Sequence, residues 1–203
     1  MNPEHNYPIG RLLIRSRNGS LHACTASVIN TSNENIGVTA AHCLVDNDRK
    51  TLDINSMSFS PGYNDGNEGP LGTVDPEGEG LNLQDYTGGL GWRFDIGNNT
   101  PTNVFGYPNS GDLMNCLKNS KQLCEWQGNT QQELENSIAI NYIITGFDLG
   151  EGTIGGPFIF QYDRNTNLGY VYSVYKAYRN TYNESVASAF DVQTFCGLLL
   201  RLS

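Results

Sequence analysis

Long apolar runs are missing from this 203-residue chain. Its best stretches, such as Ile138 to Thr145 and Leu198 to Leu200, fall far short of the ~18–20 apolar residues a membrane-spanning helix needs. Membrane insertion is therefore not expected. Charge is sparse as well: Asp, Glu, Lys and Arg make up 16% of the residues, against roughly 25% in an average soluble domain, so long solvated helices are not expected either. Basic residues are the scarcest, 12 Lys and Arg against 21 Asp and Glu, for a net charge of −9. A phosphate backbone demands a basic face, so this balance argues against a nucleic-acid partner. The segment Met1 to Ile9 has neither the basic start nor the apolar core of a secretory signal, and the expectation is a mature chain.

Turn formers are what the chain has in quantity, with 23 glycines and abundant asparagine. Between them lie short runs rich in Val, Ile, Tyr, Phe and Thr: Arg11 to Arg15, Cys24 to Ile29, Ile36 to Thr39, Ser56 to Phe59, Val104 to Tyr107, Ile138 to Thr145, Pro157 to Tyr162 and Tyr170 to Tyr178. Strands of this length at this spacing predict an all-β sandwich or barrel. Val192, Phe195, Leu198 and Leu199 recur at helical spacing over Asp191 to Leu199, which predicts a terminal helix. Pro61 to Gly80, with six glycines and several acids, reads as a long loop.

Five cysteines lean toward an oxidising compartment, and the odd count leaves one thiol over. Cys116 and Cys124 are spaced to close a loop as a disulfide, and no His or further Cys stands at metal-ligand spacing beside them, so no metal is expected. Asn-x-Ser/Thr sequons begin at Asn18, Asn30, Asn98 and Asn183, which fits a secreted glycoprotein.

The segment Thr39-Ala40-Ala41-His42-Cys43 follows Ala23-Cys24-Thr25-Ala26-Ser27-Val28-Ile29, and Gly152-Thr153-Ile154-Gly155-Gly156-Pro157 precedes an apolar run. The first pair resembles the histidine region, and the last the nucleophile segment Gly-Asp-Ser-Gly-Gly-Pro, of the trypsin-like (chymotrypsin-fold, peptidase S1-like) serine proteases. Pro61-Gly62-Tyr63, Thr87-Gly88-Gly89-Leu90-Gly91-Trp92 and Gly106-Tyr107-Pro108 are similar to the secreted microbial branch. The resemblance implies two packed six-stranded-type antiparallel β-barrels, the first shortened and carried by residues 1–84, the second by residues 85–203 with the terminal helix. It also implies a Cys24–Cys43 disulfide, which leaves Cys196 as the odd thiol.

Departures from the family pattern govern the expected function. Ile154 stands where the family has its serine, and isoleucine has no atom that attacks a carbonyl. Thr153 replaces the neighbouring acid. No Asp-Ile/Val-Ala-Leu segment supplies the buried acid that orients the histidine; Asp95-Ile96-Gly97 is the nearest imitation. Loss of the nucleophile alone costs about 10⁶ in turnover in subtilisin. The expectation is a secreted pseudoprotease with no catalytic residues and no cofactor, His42 being a vestige, that binds another protein as decoy, inhibitor, adaptor or subunit.

Candidate binding residues line the remnant cleft. The N–H groups of Gly152 and Ile154 retain the chance of an oxyanion-type nest. Asp148, six residues before Ile154, is placed to receive a basic side chain of the partner, with Ser173, Val174, Tyr175 and Lys176 as the opposite wall, where Tyr175 and Lys176 crowd the slot. Two other readings stay open: a hydrolase with relocated residues, in which Thr153, Ser27 or Ser173 acts with His42, and a non-catalytic effector, toxin or glycan-binding protein that uses its loops.

Overall fold

Buried Leu12 and Ile14 alternate with the more accessible Arg11, Leu13 and Arg15, so the first strand turns one face inward and lends the other to solvent. The computed structural model describes residues 7–16, 19–45, 50–67, 69, 72–73, 82–114, 116–135 and 139–202. In chain order the elements are β1 (Ile9–Arg15), β2 (Leu21–Ile29), β3 (Ile36–Val38), β4 (Met57–Pro61), α1 (Leu83–Thr87), β5 (Gly91–Trp92), β6 (Thr100–Gly106), β7 (Cys124–Glu135), β8 (Ala139–Thr145), β9 (Pro157–Asp163), β10 (Leu168–Arg179), β11 (Glu184–Ala189) and α2 (Val192–Leu202). The expected shortening of the first barrel takes the form of an open four-stranded sheet ordered β3-β2-β1-β4. Much of the predicted loop Pro61 to Gly80, namely residues 68, 70–71 and 74–80, lies outside the described residues, as does Asn18.

The second unit is a closed barrel. Strands β8, β7, β6, β9 and β10 pair in that order, and β11 pairs with both β8 and β10, completing a six-stranded ring; β5 adds a short parallel pair beside β10. Closure removes the exposed edges that an open sheet of this size presents. Three tyrosines, Tyr142, Tyr172 and Tyr175, fill the interior with Phe158 and Val104. Their hydroxyls need partners once buried. Tyr172 shares its hydroxyl with Thr102 at 2.6 Å and Thr130 at 2.9 Å, and the Tyr142 hydroxyl donates to the Ile96 carbonyl at 2.6 Å. Burial pushes the Tyr172 hydroxyl well above the ordinary tyrosine range, so it stays protonated.

Three strands, the two-residue β5 and the longer β7 and β11, were not legible as such in sequence. β7 reads Cys-Glu-Trp-Gln-Gly-Asn-Thr-Gln-Gln-Glu-Leu-Glu, a run of poor strand formers whose side chains are mostly accessible. Its backbone is fixed by β6 on one side and β8 on the other, so tertiary pairing overrides local propensity. After Glu184, β11 is made of Ala, Ser and Val, and Ala187 is fully buried because the surrounding tyrosines leave room only for a small residue.

A third core joins the sheet, the barrel and the terminal helix. Ile9 and Ile29 from the sheet meet Phe105, Ile159 and Val171 from the barrel, and Phe195 of α2 closes the layer. Phe195 stacks on Phe190 at 4.6 Å between centroids and lies 5.4 Å from Trp92. The predicted terminal helix is thus present and extends three residues past Leu199. Its N-terminus is capped by Asp191, whose Oδ2 accepts the Thr194 N–H at 2.7 Å. Those bonds from Thr194 hold the Asp191 carboxyl below its usual value of 3.8.

A carboxyl depressed in the folded state stabilises above its unfolded pKa and ceases to do so as pH falls through the folded one. Thermal unfolding of Asp191→Ala is therefore expected at a lower temperature than that of the parent at pH 7, with the two curves converging at pH 2. An equal gap at both pH values contradicts the cap.

Candidate functional site

The strand β2 delivers Thr25 to the point where the sheet meets the barrel. The Thr25 N–H donates to the Ile154 carbonyl at 2.8 Å, its Oγ1 donates to the Gly152 carbonyl at 2.8 Å, and the Tyr107 N–H donates back to that Oγ1 at 3.1 Å. The Thr25 carbonyl in turn accepts from Thr39 Oγ1 at 2.7 Å. One fully buried threonine thus clasps the loop 152–156 to the strand and to the segment that leads into His42.

Backbone geometry in this loop leaves two positions open only to glycine. Gly152 sits at φ +83, and a Cβ there falls 2.2 Å from the Tyr107 carbonyl; Gly155 sits at φ +86, with its Cβ 2.1 Å from Thr39 Oγ1. The Gly155 N–H donates to the Tyr175 carbonyl at 2.8 Å, and the Tyr175 N–H to the Gly156 carbonyl at 2.9 Å, which fastens the loop to β10. The N–H groups of Gly152 and Ile154 donate to no acceptor among the described residues. Ile154 itself packs against the apolar clusters of both units, a hydrophobic bolt between them.

His42 lies on a 3-10 turn, Ala41–Cys43, and is exposed. The Cys24–Cys43 disulfide anchors that turn to β2, and the Cys116–Cys124 disulfide closes the loop ahead of β7. Both expected bridges are present, and Cys196 is the free thiol. The sulfur of Cys43 touches the Ile154 carbonyl at 3.6 Å; a disulfide sulfur has no proton, so this is contact rather than a hydrogen bond. His42 makes no hydrogen bond or ion pair among the described residues. Asp95 does not serve it: its carboxylate is exposed and taken by Arg93, whose hydrogen bond is the largest influence lowering its pKa.

Asp148 is occupied internally. Its Oδ1 accepts the Gly150 N–H at 2.8 Å and faces the Tyr175 hydroxyl at 3.5 Å, while its backbone N–H donates to Asp112 Oδ2 at 2.8 Å. Tyr175 is 1% exposed, and burial is the main cause that raises its hydroxyl pKa. Lys176 departs from its expected place in the wall. A bulge in the β10–β11 pairing between Tyr175 and Ala177 turns it away, and its Nζ bonds Glu135 at 2.9 Å and Asn141 at 3.0 Å instead. Ser173 is fully buried with its hydroxyl unpartnered, and so is Ser27. Thr153 spends its hydroxyl on the Leu149 carbonyl at 2.8 Å.

No family model and no curated protein matches the sequence. Solved structures do match. A thermostable serine protease AL20 from an extremophilic microorganism superposes with a TM-score of 0.75 at 18% identity over 98% of both chains. The protease Anisep from Arthrobacter nicotinovorans gives 0.72 at 19% identity over 95% of each. The chain has the chymotrypsin-like serine protease fold. A scabies mite inactivated protease paralogue shares it too, with a TM-score of 0.62 at 13% identity over 100% of this chain and 98% of that one.

The clasped loop 152–156 is the segment that the sequence resemblance likens to the nucleophile segment, with Ile154 at the position it gives to the serine. The structure brings Thr25, Thr39, Tyr107 and Tyr175 to that loop, and sequence reasoning singled out only Tyr175 among them. Thr25 and Thr39 were visible inside the histidine motif, but nothing in spacing alone says that their hydroxyls reach across to the barrel. Of the sequons, Asn30, Asn98 and Asn183 are exposed.

Thr25→Val keeps the shape of the side chain and leaves the Gly152 carbonyl and the Tyr107 N–H buried without a partner. The expected cost is about 2–5 kcal/mol in chemical denaturation; a loss below 0.5 kcal/mol, on the same order as a neutral surface change, contradicts the clasp.

Proposed function

We propose that this chain is a secreted, non-catalytic member of the protease scaffold, and that it acts by binding another protein at the remnant cleft. The observation that carries the reading is Ile154: an apolar side chain, at the position the resemblance gives to the nucleophile, in a loop held by left-handed glycines and by bonds to Thr25 and Tyr175. Chemistry has no obvious substitute nearby. His42 lacks a carboxylate partner among the described residues, and the hydroxyls of Ser27, Ser173 and Thr153 are 0%, 0% and 1% exposed by residue. Hydroxyls this enclosed do not reach a substrate carbonyl, which weighs against relocated hydrolysis.

Binding is favoured by what the cleft retains. Two loop N–H groups have no acceptor among the described residues and suit a partner carbonyl or carboxylate. Asp112, Asp148 and Glu151 lie beside the same loop; the Asp148 N–H donates to Asp112 Oδ2, and the Glu151 N–H to Ser110 Oγ. With Tyr175 against Asp148, a basic side chain of the partner meets this acidic rim rather than a deep pocket. One neighbour in the fold is described as an inactivated protease paralogue, a precedent for the scaffold outlasting the activity. Two disulfides, the exposed sequons and microbial protease neighbours are consistent with an extracellular site of action.

Treatment with a fluorophosphonate serine probe is expected to leave the protein unlabelled. Ile154→Ser alone is expected to stay unlabelled too, because no acid among the described residues orients His42. Covalent labelling of the parent chain overturns the proposal, and labelling of Ile154→Ser at the rate of an active protease shows the orienting acid to be present after all.

A further inference from the structure

The turn after β2 frames a second feature that shares no residue with the loop 152–156. The Glu34 N–H donates to the Thr31 carbonyl at 3.1 Å, with Glu34 itself at φ +57, an uncommon conformation for this residue type. This turn, α1, β5 and the end of α2 enclose a groove of about 440 Å³, within the roughly 300–1,000 Å³ usual for small-molecule sites.

Its walls narrow the chemistry of a ligand. Asn30, Asn33 and Gln84 contribute amides, Glu34 a carboxylate, and Trp92 an indole beside Leu199. Among the described residues no Lys, Arg or His lines the groove, so a phosphate or carboxylate finds no counter-charge there and meets repulsion from Glu34. A wholly apolar ligand fits poorly as well, because it strips water from these polar groups without replacing their hydrogen bonds. Amides donate and accept in adjacent positions, as sugar hydroxyls do, and an indole presents an apolar face with a polar edge.

The polar groups are also held in place. Gln84 Oε1 accepts the Thr31 N–H at 3.0 Å, Asn33 Nδ2 donates to the Leu202 carbonyl at 2.8 Å, Asn82 Nδ2 donates to Glu34 Oε2 at 2.9 Å, and Trp92 Nε1 donates to the Asn30 carbonyl at 3.0 Å. Asn30 Nδ2, Ser32 Oγ and Glu34 Oε1 keep no partner among the described residues. Fixed side chains with unspent hydrogen-bonding capacity reduce the ordering cost of binding. The geometry points to a saccharide site in this groove, taking a neutral sugar against Trp92 and the Asn30, Glu34 and Gln84 side chains. Two sources supply such a ligand: a separate oligosaccharide, or the chain's own glycan, because Asn30 opens the sequon Asn30-Thr31-Ser32.

The variant Ser32→Ala removes the sequon and keeps Asn30, so it provides the full chain free of a glycan at this position. Titrated with chitotriose, mannotriose and cellotriose and read by tryptophan fluorescence, it is expected to give a saturable response to at least one of them. Adding Gln84→Ala or Glu34→Gln is expected to weaken that response at least tenfold with an unchanged circular dichroism spectrum. Parent chain glycosylated at Asn30 distinguishes the sources: a response equal to that of Ser32→Ala assigns the groove to separate oligosaccharides, and its loss, restored by enzymatic deglycosylation, assigns it to the chain's own glycan. Absence of a saturable response from Ser32→Ala to all three sugars overturns the proposal, as does a response that both wall substitutions leave unchanged. Neither result bears on the cleft at Ile154.

Discussion

The clasp of Thr25 is the constraint on which the molecule turns. A single buried residue of β2 gives its N–H and hydroxyl to the loop 152–156, receives the Tyr107 N–H, and offers its carbonyl to Thr39. Sheet and barrel also meet through side-chain packing and through bonds such as that from the Asn30 N–H to the Leu90 carbonyl; at Thr25 they are joined by directional bonds on a fully buried residue. Such bonds are costly to leave unmade, so they hold the loop in its shape. The left-handed turns at Gly152 and Gly155 and the disulfide at Cys43 lock the same geometry from two further sides.

That arrangement explains how the fold tolerates Ile154. A serine at this position contributes a reactive oxygen but little packing, whereas isoleucine adds apolar surface between the clusters of the two units. On the proposed reading the exchange of one for the other trades reactivity for burial, each buried methylene contributing about 0.8 kcal/mol. On the proposed reading the cleft has become a preorganised surface, with unsatisfied loop N–H groups and an acidic rim. Inside the second barrel tyrosines occupy the volume, and their hydroxyls find partners in threonines, the Ile96 carbonyl and Asp148.

The motifs around His42 and Ile154 carried the fold because they are dense in residues whose backbone conformation or covalent bonding admits few alternatives. Glycines at positive φ, a cysteine pair and a proline opening a strand survive translation from sequence to structure with little ambiguity. The terminal helix was legible from its apolar spacing, and the crowding of Asp148 by Tyr175 from side-chain size. Where the reading failed, the deciding information was not local. β7 is a strand because β6 and β8 flank it, and β11 is buried because tyrosines from other strands require small neighbours. Lys176 turns outward through a bulge that its own sequence does not announce. The reach of Thr25 across the molecule depends on how two units dock, and no periodicity encodes that.

A hydrolysis assay reads the central claim directly, since it asks whether a cleft built this way still turns over substrate. Generic peptide and ester substrates, incubated with the parent chain and with His42→Ala, are expected to be cleaved no faster than in buffer by either. Cleavage by the parent chain that His42→Ala abolishes would show a working catalytic apparatus around the histidine and contradict the account.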